Sequence, residues 1–176
     1  MDAGDRRGTQ LRHALAGLQA GIVGALAMVV WLAVAAASSR RSFWMIPNLY
    51  ATTFYGARVY VNQYTRGSLS GLAVMLVICG VAGMVWGVTW RDQQRPFMGL
   101  FGALSGLVVY YILFDVILHY TSPLVPLYAP ERQVQFGYLL WGIALARSPI
   151  YSRRIARTMG VYPVEAEEIR SGEVIR

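Results

Sequence analysis

Residues 97–130 read FMGLFGALSGLVVYYILFDVILHYTSPLVPLYAP. Residues 97–118 of that stretch hold one charged side chain, Asp115, and a helix needs roughly 20 mostly apolar residues to cross a bilayer. The run therefore reads as a membrane span. It ends in one carboxylate (Asp115), one imidazole (His119) and a loop punctuated by Pro123, Pro126 and Pro130. Those prolines are expected to exclude regular helix across much of residues 121–130.

Working outward, residues 14–37 and 69–90 are apolar runs of comparable length, and residues 134–146 form a shorter fourth. Hydrophobic residues make up 56% of the 176 and charged residues 14%, with a mean hydropathy of +0.42. Soluble domains run at about 45–50% and 25%, so the composition excludes that class. The predicted fold is an all-α integral membrane protein, a four-helix transmembrane bundle with helices at about 12–38, 68–90, 96–118 and 130–147 and a tail over 149–176. The fourth helix, taken from Pro130 to Arg147, has 18 residues. At 1.5 Å per residue that is about 27 Å, which spans a core of about 30 Å with slight local thinning.

The net charge is +7, and every one of the sixteen basic residues is Arg. They flank the apolar runs, where orientation and headgroup contact use them. No nucleic-acid motif accompanies them, so the expected partner is the lipid bilayer and not nucleic acid. Four spans put both termini on one side. Their flanks and the 91–96 turn hold Arg6, Arg7, Arg12, Arg91, Arg95, Arg147, Arg153, Arg154 and Arg157, nine in all; the opposite loops hold five, Arg40, Arg41, Arg58, Arg66 and Arg132. Arginine excess marks the cytoplasmic side, so a cell (inner) membrane protein with both termini cytoplasmic is predicted. The tail is basic first (Arg153, Arg154, Arg157), suited to anionic lipid headgroups, then acidic (Glu165, Glu167, Glu168). Arg6-Arg7 faintly resembles a twin-arginine signal, but a signal core is about 7–15 residues and residues 14–37 exceed that.

Small residues four apart occupy one helical face and let neighbouring helices approach closely. The spacing occurs at Gly17 and Gly21, with Gly24 on the related Ala20-x-x-x-Gly24, then at Gly83 and Gly87, and again at Gly102 and Gly106. These glycines are the expected packing residues of the bundle. A shift of 78 residues lays Gly24-Ala25-Leu26 on Gly102-Ala103-Leu104 and Leu49-Tyr50-Ala51 on Leu127-Tyr128-Ala129; a shift of 55 lays Trp86-Gly87 on Trp141-Gly142. Two parallel two-helix repeats follow, related by an axis along the membrane normal. Biased apolar composition generates such matches by chance as well, and both readings stay open.

The connection over residues 38–68 carries seven aromatics: Phe43, Trp44, Tyr50, Phe54, Tyr55, Tyr60 and Tyr64. Pro47 suits the first turn of a short helix and Gly56 its stop. Tyr50 and Phe54 would share a face of it. An aromatic interfacial segment lying at headgroup depth is expected, with a buried lid over the bundle as the sharper alternative.

Asp115 and His119 are four apart and share a helical face, about 27 Å and 33 Å along the third helix. That is near the outer interface. A structural ion pair with Arg40, Arg41 or Arg132, or a headgroup contact, competes with proton handling or polar-ligand binding. The candidate outer-face polar site is Asp115, His119, Tyr50, Tyr128, Arg41 and Arg132. No catalytic residue, metal site or cofactor is expected. His13 and His119 sit at opposite faces, two ligands are too few for zinc, and the lone Cys79 reads as a small buried hydrophobe.

The leading expectation is a non-enzymatic accessory or scaffold component packing with itself, as a homo-oligomer, or with another membrane complex. The alternative is a small transporter or channel, which calls for mid-depth ionisable groups that the four runs lack. A third is a membrane enzyme acting on a lipid or quinone at the outer face through Asp115, His119 and Tyr128. The length of the first apolar run gives one direct test: N-terminal sequencing of the mature protein returns a chain that retains residues 14–37.

Overall fold

A computed structural model describes residues 3–90, 97–121 and 124–158, the side chains of residues 3–7, 115, 126, 157 and 158 excepted. The expected 91–96 turn and the acidic tail with Glu165, Glu167 and Glu168 lie outside the described residues. The described residues are predominantly helical and hold no strand: α1 Ala3–Ser38, α2 Met45–Tyr55, a 3-10 turn Ala57–Val59, α3 Arg66–Thr89, α4 Met98–Tyr111, a π-helical segment Ile112–Leu118, α5 His119–Thr121, α6 Leu124–Tyr128, α7 Glu131–Leu145 and α8 Ser148–Thr158. Three of these helices are long and apolar enough to cross a membrane: Gly8–Ser38, Arg66–Thr89, and the run Met98–Thr121 that joins α4, the π segment and α5.

The long helices pack in series, with α3 on α1, α1 on α7 and α7 on α4, so that α1 and α7 are central and α3 and α4 are the outer members. Glycine sets the two outer contacts. A methyl group on Gly17, Gly83 or Gly87 would collide with the backbone of the facing helix, with the Gly83 carbonyl, the Gly17 carbonyl and the His13 carbonyl respectively. Gly21 faces the Cys79 carbonyl in the same way. The other hairpin repeats the device: Gly102 lies against the Gly142 carbonyl and Gly106 against the Tyr138 carbonyl. Gly24 belongs to neither hairpin, since it makes room for Trp141 and Ala144 of α7.

Equivalent contacts relate the hairpins by 55 residues in their second helices, Gly87 to Gly142, and by 89 in their first, Gly17 to Gly106. The 55-residue offset coincides with the Trp-Gly spacing of the sequence. The 89-residue offset lies three helical turns (about 11 residues) beyond the offset that aligned the Gly-Ala-Leu triplets. Those triplets therefore occupy different packing positions.

Tryptophan ties α1 to α7. The buried indole of Trp141 donates to the Gly21 carbonyl at 3.0 Å, and that of Trp31 to the Gln133 carbonyl at 2.9 Å. Between them Gly137 admits the Met28 side chain. An aromatic layer of Tyr110, Phe114, Tyr138 and Trp141 fills the space between α4 and α7, with Tyr110 stacked on Phe114 at 4.5 Å.

Three expectations need correction. The fourth helix is α7, 15 residues where 18 were expected, because the chain turns at Ala146 and Arg147 into α8. The tail from Ser148 is not wholly separate: α8 docks along α1, burying Ser148, Ser152 and Ala156, which recur every four residues and make a smooth stripe. The proline-rich stretch holds a short helix, α6, for Pro126 falls in its first turn, where an N–H has no helical partner. Tyr50 and Phe54 lie four apart on α2 as expected, but along that helix exposure rises from 2% at Tyr50 to 64% at Phe54.

The glycine contacts yield a contrast. Gly106→Ala and Gly142→Ala should lower the thermal midpoint in detergent, corresponding to about 1–3 kcal/mol each. Gly99→Ala, where a methyl group meets nothing within 4 Å, should be neutral or slightly stabilising.

Candidate functional site

The end of the bundle that carries α2 and α6 holds all six residues of the proposed polar site, and the five whose side chains are described occupy four environments. Tyr50 is in the core. Its hydroxyl lies 3.3 Å from that of Tyr138, and both rings are buried. Loss of hydration pushes the Tyr50 phenol above its ordinary value, so it stays neutral and serves as a hydrogen-bonding wedge between α2 and α7.

Tyr128 is 48% exposed and its ring packs on Tyr60 at 5.2 Å. The two Leu-Tyr-Ala segments are thus used differently: Leu49, Tyr50 and Ala51 are all buried, whereas Leu127 and Tyr128 are exposed. His119 is exposed beside Tyr120, ring centroids 5.5 Å apart. Asp115 sits in the π-helical segment; its side chain, and with it any pairing to Arg40, Arg41 or Arg132, lies outside the described residues. Wider i→i+5 turns of this kind are frequent at functional sites.

Arg41 and Arg132 do come together. With Ser39, Pro130, Glu131 and Gln133 they line an open cleft of about 500 Å³ between the end of α1 and the start of α7. The turn that delivers Arg41 is tight. Arg41 N–H donates to the Ala36 carbonyl at 2.9 Å and Arg40 N–H to Ala37 at 3.2 Å, the paired bonds that end many helices. Arg40 takes the left-handed position of that turn at φ 51°, a conformation that costs a non-glycine residue roughly 1–2 kcal/mol.

Sequence reading passed over the polar residue that organises this end. Asn48 is fully buried in α2 and all four of its amide's hydrogen-bonding positions are used. Its Nδ2 donates to the Val61 carbonyl at 2.6 Å and the Gln63 carbonyl at 2.9 Å. Its Oδ1 accepts from Ser68 Oγ at 2.6 Å and from Thr65 Oγ1 at 3.4 Å. Ser68 in turn accepts the Thr65 N–H at 2.9 Å, capping the start of α3. Gly71 lets the Pro47 carbonyl lie directly on α3. α2 is thereby clamped as a lid, with residues 46–52 buried. The signal available in the sequence was an isolated Asn within the apolar Met45–Tyr55 stretch.

At the opposite end, α8 covers His13, which is 4% exposed, with Ser152 Oγ 3.4 Å from its Nδ1. The seam there, lined by His13, Ala16, Gly87, Trp90, Ser148 and Pro149, has no room for a water molecule. Among the described residues no three His, Cys, Asp or Glu side chains gather as a metal site would require. No protein-family model, curated protein or solved structure matches the chain.

Removing the amide tests the lid. Asn48→Leu strands the Val61 and Gln63 carbonyls at about 1–3 kcal/mol for each that stays buried, and leaves the Thr65 and Ser68 hydroxyls bonded to each other and to the Thr65 N–H. The variant should show a markedly lower melting midpoint in detergent and new protease cleavage between residues 56 and 65, where wild type resists.

Proposed function

We propose that the chain is a multi-pass membrane protein that works as a non-enzymatic accessory or scaffold component, packing with a second copy or with another membrane complex. The observation carrying this is the contrast between its interior and its flanks. The interior is closed by backbone-to-backbone glycine contacts and an aromatic layer, and the open cleft described above lies at one end of the bundle. The outer helices present apolar faces instead: Leu69, Val77, Val81 and Val85 on α3, and Leu100, Leu104, Val108 and Ile112 beside them in sequence on the α4 run, are all exposed. Lipid or a partner span satisfies such faces equally well.

In this reading α7 is the fourth span. Its 15 residues make about 22 Å, so the bilayer thins beside it, while Glu131 and Arg132 mark one interface and Arg147 the other. The shared glycine contact of the two hairpins supports an internal repeat of two helices each. Positive-inside counting of the arginines supports cytoplasmic termini in an inner membrane, with α2 and α6 outside and the Arg153–Arg154 side of α8 near anionic headgroups.

One observation favours a second reading, a membrane enzyme acting on a lipid or quinone at the outer face: the π-helical backbone at Asp115, close in sequence to His119. The two are separable. For a scaffold, Asp115→Asn and His119→Gln leave assembly unchanged, and purification in mild detergent followed by mass spectrometry finds a defined oligomer or a co-purifying membrane chain. A clean monomer without partners, or loss of a cellular activity at normal expression in the Asp115→Asn variant, defeats the scaffold reading.

A further inference from the structure

The cleft between α1 and α7 has the chemistry of a phosphate site. Two arginines, Arg41 and Arg132, line it together with one acidic residue, Glu131. Glu131 does not pair with them: it is engaged along its own helix, accepting from Gln135 Nε2 at 3.0 Å. Among the described residues neither guanidinium has an ion-pair partner. A guanidinium presents a planar fork of donors that matches phosphate oxygens two at a time, and two forks on one cleft favour a phosphate over a point charge.

The walls are fixed from both sides. Gln133 donates from Nε2 to Ser39 Oγ at 3.1 Å, joining α7 to the end of α1 across the cleft, and its carbonyl is held by the Trp31 indole. The turn at Arg40 fixes the backbone from which Arg41 projects. Close by along the same two helices, Trp31 packs on Phe136 at 4.7 Å, and Phe136 is 45% exposed. On α7 the exposed Phe136 lies four residues, about one turn, beyond Arg132, with the half-buried Trp31 packed against it, the order in which a phospholipid meets a protein at the interface.

We propose that this cleft binds an anionic phosphodiester headgroup, with Arg41 and Arg132 on the phosphate oxygens and the Trp31–Phe136 pair against the start of the acyl chains. Free phosphate shares the recognised group; the aromatic pair favours the lipid. The proposal takes only the membrane setting from the scaffold reading. Lipid retention and partner retention are separate readouts, so either can fail while the other stands.

The test uses the full chain in mild detergent with native mass spectrometry, offering phosphatidylglycerol, phosphatidylcholine and inorganic phosphate in turn. Wild type should retain one phosphatidylglycerol in preference to phosphatidylcholine, and inorganic phosphate should not displace it. Arg41→Gln/Arg132→Gln should hold that lipid roughly tenfold more weakly. Glu131→Gln should hold it more tightly, and Arg58→Gln, an exposed arginine outside the cleft, like wild type. Both cleft arginines are exposed, so the double variant should keep its melting midpoint. Equal retention of the two lipids, or an equal loss in Arg58→Gln and the double variant, overturns the proposal. Binding of inorganic phosphate without lipid preference supports phosphate recognition and overturns the lipid as its source.

Discussion

The contact on which the rest of this structure depends is glycine backbone against glycine backbone. Between helices in hydrocarbon there is little hydrophobic gain, because lipid tails are as apolar as leucine, and association relies on close van der Waals packing. Gly17, Gly21, Gly83 and Gly87 supply it between α1 and α3, and Gly102, Gly106 and Gly142 between α4 and α7. Those two hairpins then join through larger groups. Trp141 fills the gap opposite Gly24 and reaches the Gly21 carbonyl, and Met28 enters the space at Gly137. Small residues thus set the distances within hairpins, and large ones lock hairpin to hairpin.

A second constraint follows from the same surroundings. A buried polar group away from water needs a partner, and at the α2 end one amide satisfies much of a loop. Asn48 gathers the Val61 and Gln63 carbonyls with Ser68 and Thr65, so the long connection between α1 and α3 folds down over the bundle as a lid. Tyr50 completes it by meeting Tyr138. At the other end α8 closes the bundle with a stripe of serines and an alanine over His13. The two ends differ in character: one is sealed, and the other carries the open cleft of Arg41 and Arg132.

How much of this was legible in the chain varies with the kind of signal. Apolar runs and Gly-x-x-x-Gly spacings are local, and they named the long helices and the glycines now found at backbone contacts. The candidate site was legible only as a neighbourhood. Arg41 and Arg132 are far apart in sequence and meet because α1 ends where α7 begins, whereas Tyr50 and Tyr128, paired by a matching tripeptide, have opposite exposures. Nothing local distinguishes Leu-Tyr-Ala in a clamped lid from Leu-Tyr-Ala in a one-turn helix. Burial is decided by what packs on it.

Membrane class is readable along the chain, because the length and apolarity of a run set whether a helix suits a bilayer, and the absence of a side chain at fixed intervals sets which face can be approached. Gly56 likewise marks where α2 stops. Which helices are neighbours, that α1 and α7 are central, that α2 is a lid and that α8 belongs to the bundle emerge only from packing. The reason is that each of these rests on long-range partners: a carbonyl for Trp141, a loop for Asn48, a smooth groove for Ser148, Ser152 and Ala156. Periodicity fixes what a segment can present, and packing fixes what it meets.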